Sequence, residues 1–489
     1  MSAFSDAACG CPVGSIGEDL PAPSKALYPP AGERRRIDGL LTEELLDAVA
    51  RTESGPTVPD FDREKFEAGL KAFDFASPKR LEDVLMWTIE QMLHGIVHVN
   101  HPRYFGLFNP APAFPAQCAD RIAAAFNPQL ASAVTSPAAT AIEAHTIAAV
   151  AKRAGLPPQT SGHFTSGGSE ANYTAVICAL TQSCAGYSEA GARAFSGAPA
   201  FYVSRESHLA WVKIAHQAGI GRSAVRLIGT DGGGRMDPQL LAQAIRSDRE
   251  SGHIPFMIAA TAGTTNAGAI DPLTECAAIA RAEGLWYHID AAWGGAAIAS
   301  ARLRPLLAGI ELADSVTIDA HKWFAATMGC GMFLTAQPAI LPAAFHVSAS
   351  YMPPRGAMPD PYVNSAQWSR RFSGLRLFLS LAAGGWDAYA RHVEKSVALA
   401  AYLAGKLKQS GWTVVNEPSL AVLCALPPAG KNDVRSIVTN VLASGRAWVS
   451  AANFEGREVL RACVTHGETT EEDVDELVYA LEAAQALAQ

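Results

Sequence analysis

Ser315-Val-Thr-Ile-Asp-Ala-His-Lys-Trp-Phe324 joins a short apolar run to a cluster of reactive side chains. Ser315–Ile318 is apolar in character on both faces, as a strand covered on two sides requires. It predicts a strand that delivers Asp319, Ala320, His321 and Lys322 where it ends. In open α/β sheets, ligands bind at the carboxyl ends of strands. A lysine there has two readings. One is a surface amine at a strand end. The other is a Schiff-base nucleophile, a primary amine made reactive by desolvation and by its neighbours.

The same pattern recurs on both sides of this stretch. Ala200–Ser204, Ala224–Gly229, Phe256–Ala260, Leu285–Ile289 and Gly331–Thr335 are further short apolar runs. Between them lie helix starts. Ser136-Pro137 opens a helix that runs to Ala154, and Asp237-Pro238 and Asp271-Pro272 open two shorter ones. The alternation predicts an α/β class with a mostly parallel central sheet flanked by helices, over residues 116–385. Residues 1–115 read as an N-terminal arm followed by a helical segment, with amphipathic patterns at 36–52 and 79–99. Residues 386–489 read as a small α+β domain: a long helix at 387–409, strand-like 412–416 and 420–426, a helix near 432–443, and a last helix capped by Thr469 with Glu472.

Composition narrows the partners. With 39 basic and 47 acidic residues the formal charge is -8, and no dense Lys/Arg run is present to track nucleic acid or an anionic membrane. The nine cysteines are scattered without a CxxC pair, which fits a reducing compartment. No apolar stretch is long and charge-free enough to span a bilayer, so a soluble, cytoplasmic protein is expected.

Three further segments carry chemistry. In His163-Phe-Thr-Ser-Gly-Gly-Ser-Glu-Ala-Asn172, Gly167, Gly168 and Ser169 lead into a helix. Bare backbone amides and a helix N-terminus suit a phosphate monoester, although Gly-Gly before a helix is also an ordinary turn. In His288-Ile-Asp-Ala-Ala-Trp-Gly-Gly295, Asp290 ends a strand. It reads either as a helix cap or as the carboxylate that keeps a pyridine nitrogen protonated in a pyridoxal 5'-phosphate site, so that the ring can accept electrons. In Ser204-Arg-Glu-Ser-His-Leu-Ala-Trp211, His208 is either a satisfied polar residue at a helix start or an imidazole lying flat on that ring. His94, His98 and His101 read as core or pocket histidines; no HExxH accompanies them and no metal is expected.

Phe164–Asn172, His208, Thr261–Asn266, His288–Trp293 and Asp319–Trp323 come in an order that resembles the fold type I pyridoxal-phosphate enzymes. In particular the chain looks like the group II amino-acid decarboxylases, which include the aromatic-L-amino-acid, tyrosine, histidine and glutamate enzymes. The resemblance extends from about residue 80 and includes His101–Phe105 and Arg370-Arg371-Phe372. It implies a transferase-like fold and a homodimer with a shared active site. Lys322 would then carry the cofactor, Asp290 pair with the pyridine nitrogen and His208 stack on the ring. Gly167, Gly168, Ser169 and His321 would hold the phosphate, with Ala292 packed under the ring. Thr264 matches a position near the phenolic edge, its other reading being a hydroxyl that caps a turn.

The implied reaction is decarboxylation of an L-amino acid, with the Cα–carboxylate bond held perpendicular to the conjugated plane. A loop tyrosine then protonates Cα. Tyr362, nine residues before Arg371, is the candidate, and Tyr351 the weaker one, in a Gly- and Pro-rich stretch suited to a lid. Tyrosine there, with His208, favours simple decarboxylation over the oxidative, aldehyde-forming relatives; an aminotransferase or lyase on the same fold is the other alternative. The pocket aromatics of the aromatic-amino-acid enzymes are partly replaced, by Val99, Leu107, Asn109 and Pro110, while Phe105 and Phe108 remain to receive an aromatic or bulky side chain. Arg461 matches an arginine that meets substrate carboxylate in the glutamate enzymes, and otherwise reads as a surface ion pair.

Overall fold

Short β-branched and aromatic runs bounded by glycine, serine and aspartate form strands because they can bury both faces at once. In the computed structural model, which describes residues 24–347, 359–429 and 433–487, seven of them make one sheet. In chain order these are β1 (Ser161–Thr165), β2 (Pro199–Ser204), β3 (Val225–Ile228), β4 (Ile254–Thr261), β5 (Trp286–Asp290), β6 (Ser315–Asp319) and β7 (Gly331–Thr335). They lie in the spatial order β1-β7-β6-β5-β4-β2-β3. The pairs from β6 to β3 are parallel, and β7 alone runs against its neighbours β6 and β1. The mostly parallel sheet is as expected; β1 is an additional edge strand. Its sequence, Ser-Gly-His-Phe-Thr, lacks the continuous apolar run of the others.

The described residues group into two units, 24–51 with 60–96, and 52–59 with the remainder from 97 onward. The first contains Arg63–Lys71 and Leu81–Gly95 and most of the helix Ala31–Ser54. Its shorter helix, which periodicity did not reveal, starts where the Asp62 carboxylate accepts the Lys65 N–H at 2.9 Å. Trp87 fills the space between Phe66 and Phe73.

The second unit holds the seven-stranded sheet and an antiparallel one of β8 (Thr413–Val414), β9 (Val422–Leu426), β10 (Ser450–Phe454) and β11 (Arg457–Cys463), ordered β8-β9-β11-β10. One hydrophobic core runs through both sheets, from Ile289 and Val316 to Leu423, Leu460 and Leu477. The helix expected at 387–409 is present: Gly385, with a φ of 65°, breaks the helical path between a helix that begins at Gly374 and the one that runs on to Gln409. The kink lies in the left-handed region that glycine enters without a Cβ penalty.

Three helix starts differ in detail from the sequence reading. Asp237 caps as expected, accepting Gln239 and Leu240 N–H. Ser136 sits at the N-cap position of Pro137–Ala154, but its hydroxyl donates to the Gln129 carbonyl instead. Asp271 is not a cap at all: Leu273 opens that helix, and the buried Asp271 carboxylate accepts Met236 and Thr261 N–H, both at 2.7 Å. The last helix, Glu471–Leu487, is closed by a reciprocal pair of Thr470 and Asp473, one residue beyond the expected Thr469–Glu472 box, because Thr469 donates its hydroxyl to the Pro102 carbonyl.

Candidate active site

The carboxyl ends of β5 and β6, with the loop after β1, close around a cavity of 300 Å³. Parallel neighbours in the sheet bring these ends to one edge, so residues far apart in sequence share one wall. Lys322, His321, Asp319, Asp290, Ala292, His208, Gly167, Gly168, Ser169 and Phe108 all line it.

Lys322 follows β6 directly. Its Nζ lies 3.0 Å from Asp319 Oδ2 and 5.7 Å from the centre of the Phe108 ring. Asp319 is buried; its Oδ1 has no hydrogen-bond partner. His321 Nδ1 meets the backbone of Cys330, with Nε2 3.9 Å from Asp319. The surface-amine reading of Lys322 therefore fails: its side chain is about a quarter exposed and faces the cavity.

Asp290 ends β5. Its Oδ2 accepts the Asn172 amide at 2.8 Å and its Oδ1 accepts the Ala292 N–H at 3.1 Å. His208 Nδ1 accepts the Ala210 N–H at 3.1 Å, which places any ring hydrogen on Nε2. Desolvation lowers its pKa, against Asp290, which raises it. The imidazole is thus biased toward the neutral form.

The helix Gly168–Ser183 starts at the cavity, and its first turn presents unpaired N–H groups. A Cβ on Gly168 would sit 2.8 Å from Asp319 Oδ2 and 3.3 Å from Ala292, so backbone alone fits there. An amine, an opposed carboxylate, an open imidazole and an anion-receiving helix end together form the donor set that pyridoxal 5'-phosphate requires, and the residues present fit it.

Some expected residues lie elsewhere. Thr264 does not line the cavity; its hydroxyl accepts the Ala269 N–H at 3.0 Å and closes the turn, while Thr261, Gly263 and Thr265 form the wall. Phe105 is wholly buried, its backbone bonded to Trp448 and Cys463, and leaves Phe108 as the aromatic wall. Tyr362 is buried in a turn with its ring stacked on Trp368 at 4.6 Å, outside this chain's cavity. Tyr351 and the lid stretch around it lie outside the described residues. Arg461 is no surface ion pair. It is buried, donates to the Thr265 and Gly106 carbonyls at 2.8 and 2.6 Å, lies 4.9 Å from the Phe108 ring centre, and keeps an unpartnered Nη2.

Residues without a role in the sequence reading also line the cavity: Asn172, Asp319, Glu170, Trp293 and Met328. Trp293 stacks between Phe108 and Trp323 at 4.1 and 4.7 Å, fixing the wall behind Lys322. Asn172 could have been found from its place one helical turn after Gly168, on the same face.

Comparison with known proteins agrees with this geometry. The pyridoxal-dependent decarboxylase conserved domain matches residues 69–425. The chain is 32% identical to the acidic amino acid decarboxylase GADL1 of Mus musculus over 71% of its own length and 64% of that protein's. It is 27% identical to an aromatic-L-amino-acid decarboxylase of Bacillus atrophaeus over 94% and 97%. Mouse CSAD in its apo form superposes with a TM-score of 0.85 at 25% identity, covering 92% of this chain and 99% of that one. Rice TDC, crystallised with pyridoxal phosphate and tryptamine, shares the fold with a TM-score of 0.87 at 24% identity, over 94% and 99%. The chain belongs to the pyridoxal-dependent decarboxylases.

Proposed function

We propose that this chain is a carboxy-lyase that removes the α-carboxylate of an L-amino acid as CO2 and leaves the amine. The observation that carries the reading is the meeting of Lys322, Asp290 and the N-terminus of Gly168–Ser183 in one cavity. When bound, pyridoxal 5'-phosphate supplies a protonated pyridine that takes up the electron pair released with CO2.

The chain's own residues do the rest. Lys322 Nζ would offer the amine that holds the cofactor aldehyde. The Asp290 carboxylate would keep a proton on the ring nitrogen. His208 and the small side chain of Ala292 would flank the ring, and Gly167, Gly168, Ser169 and His321 would hold the phosphate. Phe108, backed by Trp293, forms an apolar wall for an aromatic or bulky side chain and keeps water from the reacting carbon. A second reading, a side chain ending in a carboxylate, is favoured by one observation: the unpartnered Nη2 of buried Arg461, behind Phe108 and Thr265.

Protonation of Cα is assigned to Tyr362, acting in the cavity of a second copy, since within one copy its ring does not line the cavity; Tyr351 is the other candidate. A homodimer is further supported by exposed Leu107, Phe114, Phe126 and Met328, the last at the cavity wall. The seven described cysteines are free thiols, which supports a cytoplasmic site of action; no described helix is long and apolar enough to cross a membrane. The domain division at 385/386 is likewise proposed, on the kink at Gly385 and the separate antiparallel sheet that follows.

A screen of amino acids for release of CO2 and amine, with product masses, tests the reading. Amine with stoichiometric CO2 and no peroxide is expected. Aldehyde with peroxide would favour the oxidative alternative, and a keto acid the aminotransferase.

A further inference from the structure

Behind Asp290 runs a file of buried polar groups that the reaction as described does not use. Trp286 Nε1 lies 2.8 Å from Ser315 Oγ, Ser315 Oγ lies 2.8 Å from His288 Nδ1, His288 Nε2 lies 3.1 Å from Asn172 Oδ1, and Asn172 Nδ2 lies 2.8 Å from Asp290 Oδ2. Each of the five residues is under a tenth exposed. Three elements supply them: β5 gives Trp286, His288 and Asp290 on alternate positions, β6 gives Ser315, and the cofactor-facing helix gives Asn172.

The direction of the hydrogens is fixed at the Asp290 end. A carboxylate can only accept, so Asn172 Nδ2 donates to Asp290 Oδ2 and Asn172 Oδ1 is left to accept from His288 Nε2. A neutral imidazole with its hydrogen on Nε2 accepts at Nδ1, and Ser315 Oγ turns its hydrogen to that atom. The indole N–H of Trp286, which can only donate, meets a remaining lone pair of Ser315 Oγ. The opposite amide orientation would set Oδ1 against Asp290 and N–H against N–H. His288 is held neutral by burial, which pushes its pKa down to about 4 against the pull of Asp290.

We propose that Trp286, Ser315, His288 and Asn172 are positioning residues that form a one-way donor chain, keeping Asp290 charged and oriented toward the cofactor's ring nitrogen. Aligned hydrogen bonds polarise one another, so each link strengthens the last. The chain also accounts for a fully buried serine and histidine on neighbouring strands, where unpaired polar groups are costly. The inference rests on the assignment of Asp290 to the ring nitrogen.

The test uses holoenzyme loaded with pyridoxal phosphate carrying ¹⁵N in the ring, whose chemical shift reports protonation of that nitrogen. Ser315→Ala, at the far end, releases His288 Nδ1 and lets the tautomer and the Asn172 amide turn over. It is expected to move the shift part of the way toward the unprotonated form and weaken cofactor binding about fivefold. Asn172→Leu, which removes the last donor, is expected to move it further and weaken binding about tenfold or more. Val474→Ala, in the core far along the chain, controls for lost stability and is expected to leave the shift unchanged. A Ser315→Ala holoenzyme with the wild-type nitrogen shift overturns the relay, whether or not Asn172→Leu loads cofactor. Asp290→Asn separates the two claims. If its ring nitrogen stays protonated, the assignment of Asp290 itself is wrong; if only Asp290→Asn loses the proton, the assignment stands and the relay fails.

Discussion

Two buried carboxylates share the cavity and are treated in opposite ways. Asp290 receives a donor on each oxygen, one of them backed by the file from Trp286. Asp319 accepts the Lys322 amine at 3.0 Å on one oxygen, with His321 Nε2 no nearer than 3.9 Å, and has no hydrogen-bond partner on the other. Both are almost wholly removed from solvent. A charge that must persist through every turnover is held by fixed dipoles. A charge opposed by a group that has to move is left to that group alone. Preorganised donors of the first kind cost no rearrangement at the moment of reaction.

The difference can be broken at its largest point by removing the mobile partner. Lys322→Ala is expected to lower kcat by on the order of 10⁴ or more, because cofactor exchange loses its tethered amine. Borohydride should no longer fix the cofactor to the protein, and retained turnover would sink the assignment. A third buried carboxylate, Asp271, sharpens the comparison outside the site. It too has two donors, Met236 and Thr261 N–H, but no cation and no relay, and burial pushes its pKa up to about 7 from 3.8. In the unfolded chain it ionises above about pH 4, and in the fold only near 7. Its contribution is therefore most favourable below pH 4 and declines as pH rises to 7, by a few kcal/mol at about 1.4 kcal/mol per unit. Urea unfolding of the protein and of Asp271→Asn at pH 4 and 8 checks this: the difference between the two should change with pH, and parallel curves would refute it. Asp290→Asn comes next, at about 10²- to 10³-fold in kcat, as expected when one preorganised charge is withdrawn from the reacting system. Michaelis kinetics at saturating cofactor measure it, and a loss confined to KM would count against the role.

Strands buried on both faces were legible because an apolar run has only one economical place to go. Ala200–Ser204 and Ser315–Ile318 became β2 and β6 within a residue of their expected ends. The amine, Asp290 and the glycine pair were legible for a related reason: each ends a strand or begins a helix, where chemistry and local pattern coincide. What could not be read depends on contacts across long sequence separations. Asn172 meets an aspartate 118 residues away, and His288 a serine 27 residues away. Asp271-Pro272 has the local look of a helix start, but its carboxylate is drawn to the backbone at Thr261 and Met236 across the fold. Phe105 and Phe108 are alike in sequence context, yet only Phe108 lines the cavity, because Phe105 is tied through its backbone to Trp448 and Cys463.

The smallest expected effect falls on Asp319, where the contrast is most easily overturned. If its task is only to meet the Lys322 amine, a neutral amide of the same shape should nearly suffice, since Asn Oδ1 can still accept from Nζ at 3.0 Å. The oxygen left unpartnered in the protein would become an NH2 in the variant, close to where a side chain on Gly331 would begin, 2.7 Å away. That exchange swaps one unsatisfied group for another, each costing about 1–3 kcal/mol, so stability should change little. Asp319→Asn is therefore expected to keep kcat within about tenfold of the parent protein, well short of Asp290→Asn, and to retain the cofactor through dialysis. A loss as deep as that of Asp290→Asn would mean that the Asp319 charge acts on the reacting atoms and not on the lysine alone, and the division of labour between the two carboxylates would have to be abandoned.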